Sequence, residues 1–246
     1  MTTVLVIAGT DSSGGAGLTR DVATLAQLGA EAQCAVTAVT AQTDREVTAV
    51  ELLPPRLVRA QLSAALATRR AGAIKIGMLG ARAIVAAVAE VIPPRELVPL
   101  VLDPVLAASS GGVLLETEGR AALAALLLPR ATLLTPNIPE AAALLGAAPA
   151  ASAAEIIAQA RALCARGAAA VLMKGGHAGG ELATDWLVTA EGSVREFSAP
   201  RLSGARRGTG CALASAIAAG LAAHLPLAAA VQRAKEHVTG LLRQPA

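Results

Sequence analysis

Residues 3–29 read TVLVIAGTDSSGGAGLTRDVATLAQLG, and this stretch holds the pattern that decides the fold. The apolar run from Val4 to Ala8 predicts a buried strand, the glycine-rich residues 9–17 predict a turn, and residues 18–29 predict a helix. The strand lacks the polar alternation of a half-solvated sheet. We therefore expect a parallel sheet that is covered on both faces.

The same alternation continues along the rest of the chain. Further strands are predicted at 32–42, 73–79, 101–103, 131–137 and 169–177. Further helices are predicted at 57–70, 81–92, 118–128, 139–146, 152–167, 210–223 and 228–242. Residues 185–189 and 194–200 predict a small antiparallel edge hairpin that turns at Glu191 and Gly192. The order predicts an α/β fold with a central, mostly parallel sheet, in one domain over residues 1–246.

The composition excludes several classes of protein. The chain has 246 residues, of which 54% are hydrophobic and only 16% are charged, so intrinsic disorder is excluded. The net charge is +3, no Lys/Arg run exceeds two residues, and the sequence holds no Tyr, one Phe and one Trp. Bases would have almost no aromatic side chain to stack on, so we expect no nucleic-acid partner.

The apolar segments do not predict a membrane protein. The N-terminus has no basic region, and its apolar stretch is too short for a signal peptide. The uncharged run Gly208–Gln232 contains Pro226, which divides it into two shorter helices. Three cysteines without a Cys-x-x-Cys spacing fit a reducing compartment, so we expect a cytoplasmic protein that does not bind membranes.

Chemically informative residues follow the predicted strands. Ligands of open α/β sheets bind beyond the carboxyl ends of the strands. The residues found there are Asp11, Gln42, Gly77 with Met78, Asp103, Asn137 with Glu140, and Lys174 with Gly175 and Gly176. This coincidence predicts a ligand site at that edge.

The strongest local motif is Gly208-Thr209-Gly210-Cys211, directly before an alanine-rich helix. Glycines and a helix N-terminus can point several N–H groups at one anion, such as a transferring phosphoryl group. Cys211 would lie in the first turn, where the pKa of a thiol is expected to fall, and could take a proton from an alcohol. The alternative is an ordinary helix start with a small buried cysteine.

The glycine-rich turn after the first strand is less specific. Residues 9–17 lack the Lys-Ser/Thr ending of a Walker A loop and do not match the dinucleotide fingerprint G-x-G-x-x-G. A tight connection between strand and helix explains them equally well.

Several further residues are candidates for a nucleotide site. Asn137 and Glu140 fit a helix cap, but Glu140 would also hold Mg²⁺ through water. Lys174 closes an apolar strand and would meet phosphate, or else lie along the edge of the sheet with its ammonium in water. Asp103 would assist the metal or cap the turn before Pro104.

Together, seven motifs resemble the hydroxymethylpyrimidine/phosphomethylpyrimidine kinases, thiamine-pathway members of the ribokinase-like superfamily. The motifs are GTDSSGGAG (9–17), TAQ (40–42), KIGML (75–79), LDPV (102–105), LTPNIPEA (134–141), MKGGH (173–177) and GTGC (208–211). The resemblance runs from Val4 to about Gly240.

The resemblance implies a three-layer α/β/α sandwich and a homodimeric, ATP- and Mg²⁺-dependent kinase. The enzyme would phosphorylate 4-amino-5-hydroxymethyl-2-methylpyrimidine and then its monophosphate. By the same resemblance, Cys211 corresponds to the catalytic base, and Gly208, Thr209 and Gly210 form the anion hole. Gln42 would hydrogen-bond the pyrimidine ring, for which a side-chain amide offers donor and acceptor together. The remaining implied positions are Ala16, Asp21, Met78 and Val105 in the substrate pocket, and Lys174, Asn137 and Glu140 on the Mg-ATP side.

This sequence departs from the family pattern near the substrate. Arg207, beside Arg206, stands where the family often has His, and Thr43 follows Gln42 where the family usually has Asn. The stretch Thr43–Val47 is also more charged than usual. These departures leave the fine specificity open, and Arg206 or Arg207 would alternatively serve ATP phosphates.

Two other functions remain open. A pyridoxal or pyridoxine kinase of the same superfamily would also act on a hydroxymethyl group and could use the same cysteine. A non-catalytic nucleotide- or pyrimidine-binding protein on this scaffold predicts an incomplete set of reactive residues. Against that alternative, Lys174, Glu140, Asp103 and Cys211 are all present.

Overall fold

A computed structural model describes residues 2–108, 112–175, 181–202 and 207–243. Gly176, His177 and Arg206 lie outside these residues. The strands are β1 (Thr3–Asp11), β2 (Glu31–Gln42), β3 (Val47–Leu52), β4 (Ala73–Ile76), β5 (Leu100–Leu102), β6 (Leu133–Leu134), β7 (Ala170–Met173), β8 (Leu182–Thr189) and β9 (Val194–Pro200). The helices are α1 (Gly17–Gln27), α2 (Pro55–Thr68), α3 (Arg82–Val91), α4 (Thr117–Ala122), α5 (Ile138–Leu145), α6 (Ala153–Ala165), α7 (Thr209–Ala222) and α8 (Leu227–Arg243).

The strands of this described part form one sheet in the order β3-β2-β1-β4-β5-β6-β7-β8-β9. All neighbours from β2 to β7 pair in parallel, whereas β3, β8 and β9 pair antiparallel at the two ends. The predicted mostly parallel sheet and its edge hairpin are therefore confirmed.

Helices cover both faces of the sheet, as the sequence of β1 requires. Val4 and Val6 pack into a core with α1, α7 and α8, whereas Leu5 and Ile7 pack into a second core on the opposite face. All four side chains are fully buried. Successive side chains of a strand point to opposite faces, so an uninterrupted apolar run can only be buried between two layers of helices.

The strand order places a ligand site at one edge. From β1 the chain moves outward to β2 and β3, and then returns through α2 to β4 on the other side of β1. The carboxyl ends of β1 and β4 thus form the switch point of the sheet, beside which ligands of open α/β folds bind.

Two elements differ from the expectation. The sequence pattern predicts no strand at β3, because its residues are exposed and lack a buried apolar run. The helix predicted at 118–128 is α4 followed by a π-helical turn, Leu123–Leu127, and a short 3₁₀ turn, Leu128–Arg130. Pro129 lacks the N–H that a continuing helix needs.

No helix in the part of the chain that the structure describes combines the length and apolar character needed to cross a bilayer.

Candidate active site

The Gly208–Cys211 motif forms the start of α7, as predicted. Gly208 has a φ of 73°, in the left-handed region, and a Cβ there would overlap the carbonyl oxygen of Gly15. Only glycine fits both constraints. The start of α7 is therefore packed directly on the glycine-rich turn after β1.

Gly210 faces the lysine and the carboxylate at the ends of two other strands. A Cβ on Gly210 would lie 3.4 Å from Nζ of Lys174 and 4.0 Å from Oδ2 of Asp103. Since the first N–H groups of a helix have no partner within the helix, an anion beside Gly210 would meet both these N–H groups and the Lys174 ammonium.

Lys174 lies directly after β7 and is held by two carboxylates. Its Nζ donates to Oδ1 of Asp103 at 2.8 Å and is 3.7 Å from Oε2 of Glu140. Burial lowers the pKa of Lys174, but Asp103 and Glu140 outweigh burial and raise the pKa above its ordinary value. Lys174 is thus a fixed cation at the carboxyl edge of the sheet.

Asn137 and Glu140 form a capping box at the start of α5. Oδ1 of Asn137 accepts from the N–H of Glu140 at 2.8 Å, and Oε2 of Glu140 accepts from the N–H of Asn137 at 2.7 Å. Glu140 can therefore cap α5 and also belong to a nucleotide site, because the same carboxylate faces Lys174. Burial raises the pKa of Glu140, Lys174 lowers it, and Asp103 adds to the increase.

The environment of Cys211 corrects one expectation. Burial raises the pKa of the thiol to about 11, instead of the decrease predicted from the helix start. Lys75 and the N–H of Gly17, which donates to the sulfur, oppose the increase, whereas the nearby carboxylates add to it. The contact of the sulfur with the N–H of Gly17, in the glycine-rich turn, is one that a local sequence pattern does not show.

Asp21 and Lys75 form a fully buried ion pair close to Cys211. Nζ of Lys75 donates to Oδ2 of Asp21 at 2.7 Å, and the Ser215 hydroxyl donates to Oδ1 of Asp21 at 2.8 Å. Burial lowers the pKa of Lys75, but Asp21, Cys211 and Asp103 raise it above its ordinary value. The sequence patterns did not predict a functional role for Lys75. The available signal was a charge inside an otherwise apolar strand, AIKI.

The structure brings the other predicted pocket residues to the same edge of the sheet. Met78 and Val105 share a small apolar cluster with Ala38 and Leu114, and Gly9 faces the Met78 sulfur. The N–H of Ala16 donates to Oδ2 of Asp11 at 2.9 Å.

The backbone of Gln42 is tied to the glycine-rich turn. Its N–H donates to the Ser12 hydroxyl at 2.8 Å, and its carbonyl oxygen accepts from the same hydroxyl at 2.9 Å. A direct contact of Gln42, Ala16, Asp21, Met78 or Val105 with substrate stays a prediction.

Arg207 joins the glycine-rich turn to the loop between β2 and β3. It donates to the Asp11 carboxylate at 3.2 Å, to the Ser13 hydroxyl at 3.0 Å and to the carbonyl oxygen of Thr43 at 2.7 Å. These contacts occupy the guanidinium beside the Gln42 segment. A role toward ATP phosphates stays a prediction.

The two carboxylates beside Lys174 fit a Mg²⁺ ion that is shared with phosphates. Within residues 2–108, 112–175, 181–202 and 207–243, no three acidic, His or Cys side chains form a metal cluster. A Mg²⁺ ion bound with a nucleotide needs only one or two carboxylates, because waters and phosphate oxygens complete its shell. Asp103 and Glu140 supply that set.

The mostly parallel sheet with helices on both faces and antiparallel edge strands is the ribokinase-like fold of small-molecule kinases, as the kinase structures that superpose on this chain show. A family model described as phosphomethylpyrimidine kinase matches residues 11–246. The chain belongs to this family, so the resemblance seen in its motifs is confirmed.

Individual relatives agree with that assignment. The hydroxymethylpyrimidine/phosphomethylpyrimidine kinase of Escherichia coli K12 is 45% identical over 241 residues, which are 98% of this chain and 90% of that protein. The crystal structure of phosphomethylpyrimidine kinase from Clostridium difficile 630 superposes with a TM-score of 0.86 at 33% identity, covering 99% of this chain and 100% of that one. Bacillus subtilis pyridoxal kinase in complex with ADP gives a TM-score of 0.88 at 30% identity, covering 97% and 90%.

Proposed function

We propose that this protein is an ATP-dependent kinase that phosphorylates 4-amino-5-hydroxymethyl-2-methylpyrimidine and then its monophosphate, for thiamine diphosphate synthesis. The observation that carries the proposal is the approach of Gly210 to Lys174 and Asp103. This approach supports one anion site between the start of α7 and the lysine after β7. Membership of the phosphomethylpyrimidine kinase family supports the substrate class.

The nucleotide would bind along β5, β6 and β7. Lys174 would contact its phosphates, Asn137 would fix the turn that carries Glu140, and Asp103 with Glu140 would hold Mg²⁺ through water. When bound, the ion would neutralise charge on the phosphates. Gly208, Thr209 and Gly210 would offer backbone N–H groups to the phosphoryl group during transfer.

The acceptor would bind between the glycine-rich turn and the carboxyl ends of β2 and β4. The Gln42 side chain would hydrogen-bond the ring nitrogens and amine, and Met78 and Val105 would contact the apolar ring face. Ala16 lies at the start of α1, with its backbone fixed by Asp11. Asp21 would act on the substrate side together with Lys75.

The two reactions place different demands on Cys211. In the first, the acceptor oxygen bonds to the γ-phosphorus, the bond from that phosphorus to the bridging oxygen of ADP breaks, and the hydroxyl proton passes to the Cys211 thiolate. In the second, the acceptor is an ionised phosphate that has no proton to lose, so it needs charge neutralisation more than a base. Replacement of Cys211 by alanine should therefore slow the first phosphorylation much more than the second.

An ADP-release assay with Mg-ATP tests the proposal. The acceptors are the hydroxymethylpyrimidine, its monophosphate, pyridoxal and ribose. We expect selective turnover of the first two. Turnover of none of the four acceptors would refute the kinase, and equal losses of both steps in Cys211→Ala would refute the division of labour.

Pyridoxal kinase is the second candidate, and one observation favours it. The superposition on Bacillus subtilis pyridoxal kinase matches the phosphomethylpyrimidine kinase superposition in quality. Turnover of pyridoxal alone in the same assay would establish this candidate. A non-catalytic binding protein would give no ADP with any acceptor.

Three broader expectations stay predictions. They are a homodimer, a cytoplasmic location and a single domain over residues 1–246. Light scattering on the purified protein tests the first.

A further inference from the structure

A second buried ion pair lies behind the lysine of the proposed nucleotide site. Nζ of Lys235, on α8, donates to Oδ2 of Asp185, on β8, at 2.7 Å. Asp185 is 6% exposed and Lys235 is 8% exposed. Burying two charges is costly, and replacing such a pair by apolar residues is often neutral or stabilising. Stability alone therefore gives a weak reason for the pair.

The other oxygen of Asp185 holds the backbone of the lysine turn. Oδ1 of Asp185 accepts from the N–H of Gly175 at 2.9 Å, and Gly175 directly follows Lys174. A Cβ on Gly175 would overlap the carbonyl oxygen of Thr184, so this backbone is packed directly against β8.

The backbone before Gly175 is fixed as well. The N–H of Lys174 donates to the carbonyl oxygen of Pro136 at 2.9 Å. The Lys174 side chain, which donates to Asp103, therefore starts from a backbone position that is held on both sides. Lys235, in the last helix, orients the carboxylate that completes this arrangement.

We propose that Asp185 and Lys235 are positioning residues for Lys174, and that they serve the nucleotide half of the reaction. This inference rests on the proposed kinase function. Lys235 fixes the Asp185 carboxylate, Asp185 fixes the Gly175 N–H, and the turn then presents the Lys174 ammonium beside Gly210. Neither residue contacts the reacting atoms.

Two double variants separate this role from a structural one. Asp185→Asn with Lys235→Met removes both charges but keeps an oxygen that can accept from Gly175. Asp185→Leu with Lys235→Met removes both charges and that oxygen. We expect the KM for ATP to stay within about threefold of wild type in the first variant and to rise about tenfold in the second, since a hydrogen bond to a charged group is lost. The KM for the pyrimidine should not change in either variant.

A matched control lies on the acceptor side. Asp21→Asn with Lys75→Met alters the other buried pair, which lies close to Cys211. Its effect should fall on the acceptor kinetics and leave the KM for ATP unchanged. An equal KM for ATP in the two Asp185 variants would overturn the inference, as would equal rises in both KM values.

Two measurements keep the inference separate from the proposed function and from folding. Calorimetric binding of ADP with Mg²⁺ should weaken about tenfold in the leucine variant, whether or not a pyrimidine is turned over. In the wild-type protein, the Gly175 amide should exchange with solvent as slowly as the amides of β7. Rapid exchange at Gly175 would overturn the inference even if the leucine variant failed to fold.

Discussion

Replacing Gly210 with alanine adds a single methyl group where the start of α7 faces Lys174. The new Cβ would lie 3.4 Å from Nζ of Lys174 and 4.0 Å from Oδ2 of Asp103. Neither contact forces the backbone to move, and Gly210 is not among the glycines with positive φ in the described residues. The fold should therefore accept the substitution.

The expected magnitudes point in opposite directions for stability and activity. Alanine in place of glycine in a helix stabilises by about 0.5–1 kcal/mol at most, because the unfolded chain loses conformational freedom. The methyl group, however, fills the space between the first N–H groups of α7 and the Lys174 ammonium. Loss of one donor to a transferring group lowers kcat by about 10²–10³. We expect a fall of that size in Gly210→Ala.

Steady-state ADP release and urea unfolding measure the two effects on the same samples. Gly240→Ala is the matched control, because Gly240 lies in α8 with no atom within 4 Å of the added Cβ. This control should show a comparable stability change and wild-type kcat. Wild-type kcat in Gly210→Ala would refute the anion site at the start of α7.

Three further results follow from the same geometry. Because burial raises the pKa of Cys211 to about 11, the thiolate fraction grows about tenfold per pH unit below that value, so kcat of the first phosphorylation should rise with pH. Cys211→Ala should abolish this slope, and a flat wild-type profile would contradict the base. Glu140→Gln keeps an oxygen for the Asn137 N–H but removes the charge. The free energy of unfolding should therefore change by less than about 1 kcal/mol, while the Mg²⁺ concentration for half-maximal rate rises. An unchanged Mg²⁺ requirement would argue against metal binding at Glu140. Lys75→Met leaves Asp21 buried without its cation and should cost about 3–5 kcal/mol in urea unfolding, with most of the loss recovered by adding Asp21→Asn. Wild-type stability of Lys75→Met would contradict a buried, charged Asp21 that depends on Lys75.

Most of the fold was predictable because its strands are continuous apolar runs. Val4–Ile7 is apolar throughout, and only a strand covered on both faces can bury every residue of such a run. The same logic located Asp103 and Lys174, which directly follow buried strands, and Asn137, which lies three residues after β6. By contrast, β3 is exposed at every position after Val47 and pairs only at the edge of the sheet, so its sequence carries no burial pattern.

What local patterns could not show were the consequences of bringing distant residues together. Lys75 and Asp21 are 54 residues apart, and nothing in either segment indicates that the strand charge and the helix charge meet. The pKa of Cys211 illustrates the same limit. A helix start by itself favours a thiolate, but burial in the folded protein outweighs that effect and raises the pKa of the thiol.

Each of the two buried lysine–carboxylate pairs lies beside a different half of the proposed site, one near the acceptor and one near the nucleotide. Asp21 and Lys75 join α1 to β4 beside Cys211, whose thiolate would accept the proton. Asp185 and Lys235 join β8 to α8 behind the lysine that would meet the nucleotide. Each pair buries two charges, and apolar residues at the same positions would avoid the cost of desolvating them. Asp185 holds the backbone that follows Lys174 through the Gly175 N–H, whereas Asp21 and Lys75 act on Cys211 through their charges, so the two halves of the site can be adjusted independently. If the pairs served the fold alone, altering either one should disturb both halves of the reaction equally, and the two sets of double variants distinguish these outcomes.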